Sequence, residues 1–212
     1  MKSKAIDIHK LFNELERHSF PFNENRIPKN GIYILFEKGE IFNSFDRIVR
    51  IGTHTGNNKL ISRLDEHFLK ENKDRSIFRK NIGRAFLNRE NNSFLEYWEM
   101  DLTSKKARLE LENKVDLNLK NKTESKVSNY IQNNFSFATF QINNKNTRLY
   151  FEKKLISTIS LCSECNPSKE WLGNFSTKEK IRKSGLWQVN ELWKTPISEI
   201  DMEELRIILK TS

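Results

Sequence analysis

Apolar residues recur along the chain at two distinct spacings. A period close to 3.6 residues predicts an amphipathic helix, and a period of two predicts a strand. Helical spacing occurs near the N-terminus, where Ile8, Leu11, Phe12 and Leu15 fall on one side, and again in several later segments. The expected helices lie at residues 5–18, 59–69, 77–87, 147–161 and 198–210.

Three segments are typical of strands. GIYILFE begins at Gly31, RIVRIGT begins at Arg47, and FSFATFQI begins at Phe135. The first two are neighbours in the chain, which predicts an antiparallel hairpin. Alternation in the first strand places Tyr33 and Leu35 on one face, with Ile32, Ile34 and Phe36 on the other.

These elements predict an α/β (α+β) fold, with a small antiparallel three-stranded sheet flanked by helices. No linker rich in Gly, Pro or Ser divides the chain, so we expect one domain over residues 1–212, with its core at 28–90 and 135–190. A helical insertion is expected at about 91–134. Its charged part, residues 104–133, has few apolar positions and predicts exposed helices.

The charge balance narrows the choice of partner. The formal net charge is +9 and the isoelectric point is about 9.5, as suits a chain that neutralises phosphates. Generic solubility charge would give the same balance. There is no apolar run long enough to span a bilayer and no signal peptide, so we expect a cytoplasmic protein without a membrane partner.

The hairpin carries the first candidate chemistry. Tyr33 lies in its first strand, and Arg50 and Gly52 share a face of its second. A glycine inside a strand often marks a close approach by another group. An ordinary core aromatic is the alternative interpretation of Tyr33.

The helix predicted at 59–69 carries a second set of candidate functional residues. Arg63 and His67 are four residues apart and therefore lie on the same side. A guanidinium can hold phosphate oxygens, and an imidazole can accept or relay a proton. The alternative is a solvated helix edge.

Glu152 lies within an apolar stripe, in line with Leu149, Ile156 and Ile159. A carboxylate in such a stripe must be paired, protonated or bound to a cation, and Mg²⁺ is often held by one or two carboxylates. A glutamate whose head group reaches solvent at the edge of the stripe is the alternative.

Cys162 and Cys165 form a single CxxC pair. A structural zinc site usually requires four ligands. We interpret the pair as incidental reduced thiols, with metal or redox chemistry as the alternative.

Taken in order, several segments resemble the GIY-YIG nucleases. NGIYILFE and RIVRIGTHTG resemble the two strands that name the superfamily, SRLDEHF its arginine helix, and RLYFEKKLIS the helix of its metal-binding glutamate. The asparagine of CNPS resembles the one that commonly follows. RSIFRKNIGRAF, WLGNFS and IRKSGLWQVN are similar to a bacterial branch, so the resemblance covers most of the chain.

The resemblance implies a role for each matching residue. Tyr33 would contact the nucleophilic water or act as its base, and Arg63 would bind the scissile phosphate. His67 would lie near both, Glu152 would bind a single divalent ion, and Asn166 would support the site.

Two features depart from the family pattern. Arg50 stands where the second motif requires Tyr, and it could bind phosphate instead, with His54 nearby as a possible proton acceptor. The interval from Ile34 to Val49 is longer than usual and suggests an extended hairpin loop.

The expected function is therefore endonuclease cleavage of DNA, most simply double-stranded, with Mg²⁺ or Mn²⁺, in a restriction or mobile-element setting. The alternatives are a non-catalytic nucleic-acid-binding module of the same fold and an RNA-directed nuclease.

Overall fold

One antiparallel sheet organises the molecule. The computed structural model describes residues 2–101, 103, 106, 109 and 116–211. The strands follow the order β1-β4-β2-β3 across the sheet. Their bounds are β1 His18–Ser19, β2 Gly31–Phe42, β3 Phe45–Gly52 and β4 Phe135–Gln141. The predicted α/β class with a small antiparallel sheet is confirmed, and a two-residue edge strand joins the three predicted strands.

That edge strand corrects the predicted N-terminal helix. The helix α1 is Lys2–Asn13 and not 5–18, and His18 pairs with Phe137 of β4. The Asn13 side chain accepts a hydrogen bond from the backbone N–H of Asp46 and donates one to its carbonyl, both at 3.0 Å. The chain leaves the helix there because it must reach the edge of the sheet.

The long interval between the first two motifs is strand and not loop. β2 and β3 continue to a two-residue turn at Asn43 and Ser44, where φ is +50° and +68°. Two consecutive positive φ values match the tight turn that suits the twist of a β-hairpin. The predicted extended loop was therefore wrong, because the extra residues lie within β2, where the register with β3 shifts between Phe36 and Ile41.

Helices cover both faces of the sheet. Within the described residues, no helix is long and apolar enough to cross a lipid bilayer. Short 3-10 helices occur at Glu24–Arg26 and Leu172–Phe175. The remaining α-helices are α2 Leu60–Phe68, α3 Ile77–Arg89, α4 Leu95–Glu99, α5 Leu117–Asn134, α6 Lys145–Ser160, α7 Glu179–Ser184 and α8 Glu199–Lys210.

Each face of β2 belongs to a different hydrophobic core. Ile32, Ile34 and Phe36 pack with apolar residues of α1, α6 and α8. Tyr33 and Leu35 face the opposite core, formed with α2, α3 and α5. The predicted alternation is confirmed, and it places Tyr33 beneath the helix that carries Arg63 and His67.

The insertion contributes to that second core. α5 buries Glu124, Val127 and Ile131, so the prediction that its helices are exposed was wrong for this part. Few apolar residues suffice because they share one side of the helix, and the buried Glu124 is paired with Arg79 at 2.9 Å. Residues 102, 104, 105, 107, 108 and 110–115 of the predicted insertion lie outside the described residues.

Candidate active site

Tyr33 lies at the centre of the sheet, paired with Gly52 of β3 and Thr139 of β4. A Cβ atom added to Gly52 would lie 2.2 Å from the Tyr33 hydroxyl oxygen. No other amino acid leaves room for the phenol at that position. The close approach predicted from Gly52 is therefore made by the side chain of Tyr33.

His67 of α2 forms a hydrogen bond with the Tyr33 hydroxyl. Its Nε2 lies 2.8 Å from Tyr33 Oη, and its Nδ1 lies 2.7 Å from Ser76 Oγ. Burial, and then three nearby guanidinium groups, hold the pKa of His67 well below its usual value. The imidazole is therefore neutral and fully buried, and the Tyr33 side chain that it contacts is 1% exposed.

Arg50 approaches the same hydroxyl from β3. Its Nε donates to Tyr33 Oη at 3.3 Å, and its Nη1 donates to the carbonyl of Trp187 at 2.5 Å. The guanidinium also lies over the ring of Phe78, 5.5 Å from its centre. Arg50 thus replaces the second-motif tyrosine with a fixed positive charge beside Tyr33.

Arg63 lies at the wall of an open cleft of about 510 Å³ that also contains Thr53 and Lys59. Its Nη1 donates to Glu66 at 2.7 Å and to the carbonyl of Arg75 at 3.0 Å. Burial opposes its charge, yet Tyr33 and Glu66 outweigh that effect and raise the pKa of Arg63. A quarter of the side chain remains exposed, so the guanidinium can meet an anion entering the cleft.

Glu152 completes the group from α6. Its Oε1 accepts the backbone N–H of Thr53 at 3.0 Å, directly after the end of β3. Burial raises the pKa of Glu152, and the charge of Arg50 and the Thr53 hydrogen bond partly offset that rise. Its Oε2 has no hydrogen-bond partner among the described residues. One oxygen is fixed and the other is open to a ligand.

That open carboxylate oxygen suits a divalent cation. Mg²⁺ takes hard oxygen ligands, usually one or two carboxylates together with water and phosphate oxygens. The described residues contain no group of three or more His, Cys, Asp or Glu side chains that could hold an ion. The remaining ligands of an ion on Glu152 would come from water and from a bound phosphate.

Two predicted site residues, His54 and Asn166, form hydrogen bonds with the backbone. His54 Nε2 accepts the Gly31 N–H at 3.3 Å, and its Nδ1 donates to the Gly56 carbonyl at 2.7 Å. Both ring nitrogens are thus committed to backbone, and His54 orders the loop after β3. Asn166 is exposed and donates to the carbonyl of Ser163 at 3.0 Å, so the structure does not bring it to the other residues.

The cysteine pair lies at the end of α6, away from these residues. Cys162 and Cys165 are buried free thiols. A hydrogen bond from Cys165 lowers the pKa of Cys162 to about 6, and the same contact raises the pKa of Cys165. The two thiols form a local pair that does not join the Tyr33 cluster.

Comparison with known families identifies the domain. A profile of the GIY-YIG domain matches residues 8–208, nearly the whole chain. The chain belongs to the GIY-YIG family. Proteins with this domain are generally endonucleases that act on DNA with a divalent metal ion. No curated protein and no solved structure gives a match.

Within this GIY-YIG domain, several residues at the site were not anticipated from sequence. Ser76 fixes His67 and also caps α3 by accepting the N–H of Arg79, a role that its place before a helical segment could have signalled. Trp187 and Thr53 contribute a backbone carbonyl and a backbone N–H. Every residue type has these groups or nearly so, and the amino-acid sequence therefore does not indicate them. Those two contacts exist only once the fold brings distant segments together.

Proposed function

We propose that this GIY-YIG domain is an endonuclease that hydrolyses phosphodiester bonds of double-stranded DNA. The supporting observation is the hydrogen bond between Tyr33 Oη and the neutral, buried Nε2 of His67, next to Arg50. Arg63 lines an open cleft, and Glu152 has a free carboxylate oxygen. The +9 charge supports a nucleic-acid partner.

Each residue then has a distinct task. With its hydrogen donated to His67, the Tyr33 oxygen accepts from Arg50 and would accept from an attacking water, which it orients. As that water bonds to phosphorus it would release its proton to solvent, and the P–O bond to the leaving oxygen would break, with that oxygen taking a proton from solvent. Arg63 binds the scissile phosphate as a charged, bidentate donor. An Mg²⁺ or Mn²⁺ ion on Glu152 would stabilise negative charge on the phosphate and on the leaving oxygen.

Tyr33 is the group in contact with water in this mechanism, and His67 positions it. Transfer of a proton to His67 would create an imidazolium in a buried site with three arginines nearby, which the lowered pKa of His67 opposes. His67 therefore serves best as a fixed acceptor. Asn166 and His54 have no direct task, because one is exposed and both nitrogens of the other are occupied.

Nicking of supercoiled plasmids tests the proposal. The purified protein, incubated with several plasmids and with Mg²⁺ or Mn²⁺, should convert them to open-circular and linear forms, and EDTA should stop the reaction. Glu152→Gln, which keeps the shape but loses the charge, should lower the rate on the order of 10³-fold. An exposed control, Glu203→Gln, should cut normally.

Two alternatives give different results in the same assay. A binding module that retains the fold would shift the mobility of the plasmids without nicking any of them, and that result would overturn the enzyme proposal. The substitution at Arg50 is the observation in its favour. An RNA-directed nuclease would leave every plasmid intact and cut RNA of mixed sequence.

A restriction or mobile-element role is part of the proposal. A restriction enzyme requires its host to protect the same sites. A DNA methyltransferase gene beside the gene for this chain would therefore support the restriction role.

A further inference from the structure

The cleft at Arg63 is larger than one phosphate group. Its volume is about 510 Å³, within the range of roughly 300–1,000 Å³ that is typical of pockets for drug-sized ligands. The loop after β3 and the first two turns of α2 line the cleft, and Arg63 forms one part of its wall. A phosphate held by Arg63 therefore leaves space for a neighbouring part of the same DNA strand.

Lys59 is a cation without a counter-ion in this cleft. Among the described residues that line it, Glu66 is the one acid, and Glu66 is already paired with Arg63 at 2.7 Å. The exposed side chain of Lys59 forms no hydrogen bond or ion pair with the part of the chain that the structure describes, and neither do the hydroxyl groups of Thr55 and Ser62. An unpaired ammonium group that shares a cleft with free hydroxyl groups favours an anion with several oxygen atoms, and phosphate oxygens accept hydrogen bonds from both kinds of group.

The backbone on each side of Lys59 is fixed. The preceding residue, Asn58, donates from its backbone N–H to Asn30 Oδ1 at 2.7 Å, and its own Oδ1 accepts from Asn30 Nδ2 at 2.8 Å. The following residue, Leu60, donates its N–H to the carbonyl of Lys29 at 3.2 Å. Both contacts join the loop to the segment before β2. The position of Lys59 in the cleft is therefore set before any ligand binds.

The stem of the Lys59 side chain packs over Gly56. A Cβ atom added to Gly56 would lie 2.9 Å from Lys59 Cγ, so the glycine leaves room for the stem. Lys59 also precedes Arg63 by four residues, about one helical turn, which corresponds to about 5–6 Å between Cβ atoms. The two cations therefore approach the cleft side by side, and Arg63 alone has an acidic partner there.

We propose that Lys59 binds the phosphate next to the scissile phosphate on the same DNA strand. The cleft then holds two successive phosphates, one at Arg63 and one at Lys59. The proposal rests on the nuclease function proposed above, because Arg63 defines which phosphate is the scissile one. Phosphate contacts fix the register of a protein on DNA without reading its sequence. Lys59 is therefore assigned to positioning the strand, and not to proton transfer or base recognition.

The salt dependence of DNA binding tests the contact. A fluorescently labelled duplex of mixed sequence is titrated with the full chain at several salt concentrations, without divalent ions so that the duplex stays intact. The logarithm of the association constant falls with the logarithm of the salt concentration, with a slope of about −0.9 for each phosphate contact. Lys59→Gln should therefore reduce the magnitude of the slope by about 0.9, and Lys59→Arg should preserve it. An unchanged slope in Lys59→Gln, or no binding by the unaltered protein, would overturn the proposal.

Lys10→Gln is the matched control. Lys10 is also exposed and forms no hydrogen bond or ion pair with any described residue, but it lies on α1, which packs on the opposite face of the sheet. Its loss changes the net charge as much as the loss of Lys59 and should leave the slope unchanged. An equal reduction in both variants would show an effect of overall charge and would contradict a contact at Lys59.

The kinetics of plasmid nicking separate this proposal from the nuclease proposal. A neighbouring phosphate is bound alike in the substrate and in the transition state, so Lys59→Gln should raise KM and leave kcat nearly unchanged. A lower kcat at an unchanged KM would contradict the assignment. Nicking by the unaltered protein together with an unchanged salt slope in Lys59→Gln would overturn the Lys59 contact alone. A reduced slope without nicking of any plasmid would overturn the enzyme proposal and leave Lys59 as a DNA contact.

Discussion

Two arginine–glutamate regions of the molecule differ in how fully their polar atoms are satisfied. Arg79 donates twice to Glu124 Oε2, at 2.9 and 3.1 Å, and also to the carbonyl of His67. The other carboxylate oxygen of Glu124 accepts the N–H of Lys73. Both carboxylate oxygens of Glu124 therefore have hydrogen-bond donors, which a buried ion pair needs to offset the cost of desolvation. We call this pair closed.

The second region, formed by Arg50 and Glu152, is open: one carboxylate oxygen has no hydrogen-bond donor among the described residues. Arg50 and Glu152 line the same cleft but form no ion pair within 4.0 Å, and Glu152 retains a free oxygen. Arg50 instead donates hydrogen bonds to Tyr33 and to the backbone carbonyl of Trp187. A closed pair stabilises the fold, whereas an open one leaves charge available for a ligand. Three substitutions test this distinction.

The largest effect is expected at the closed pair. Glu124→Gln removes the charge that balances Arg79, and loss of one partner of a buried pair costs about 3–5 kcal/mol. The free energy of unfolding, measured with urea, should fall by that amount. The exposed control Glu203→Gln should change it by less than about 0.5 kcal/mol. A loss in Glu124→Gln no larger than in this control would show that the closed pair is not structural.

An intermediate effect is expected at Arg50. Arg50→Lys keeps the charge, but an ammonium group cannot reproduce the fork that reaches both Tyr33 and Trp187. Loss of one hydrogen bond to a charged group is worth about 1.5–3 kcal/mol, so kcat/KM for plasmid nicking should fall about 10- to 100-fold. The surface change Arg206→Lys is the matched control. An unchanged rate would remove Arg50 from the site.

The smallest effect is a gain in stability at Glu152. Burial raises the pKa of this carboxyl in the folded protein, so its ionised form at pH 7 opposes folding. Glu152→Gln should therefore stabilise the metal-free protein at pH 7 by about 0.5–2 kcal/mol, within the range of single stabilising changes.

The pH dependence gives the sign of that effect. As the pH falls through the raised pKa of Glu152, the folded protein takes up the proton before the unfolded chain does. The advantage of Glu152→Gln should shrink over that interval and disappear at lower pH. Urea unfolding at pH 7 and below pH 5 measures the difference. A destabilised Glu152→Gln variant would mean that Glu152, like Glu124, is structural.

Much of the fold was predictable because its signals are local. Alternation in β2 assigned Tyr33 and Leu35 to one core, and helical spacing placed Arg63 and His67 on one side of α2. Predictions that depended on where a segment meets the rest of the molecule were wrong. The helix α1 ends early to reach the sheet edge, and α5 packs because three well-spaced residues are enough when Arg79 balances Glu124.

The candidate site divides in the same way. The sequence by itself determined which chemical groups are present: a phenol, two guanidinium groups, an imidazole and a carboxylate within elements of the GIY-YIG pattern. Tertiary structure decided which of them meet. It tied both ring nitrogens of His54 to the backbone at the wall of the Arg63 cleft, left Asn166 exposed, recruited Ser76 and two backbone groups, and left one oxygen of Glu152 free. Residue spacing fixes which side of an element a group occupies, whereas hydrogen-bond saturation depends on distant segments that only folding brings together.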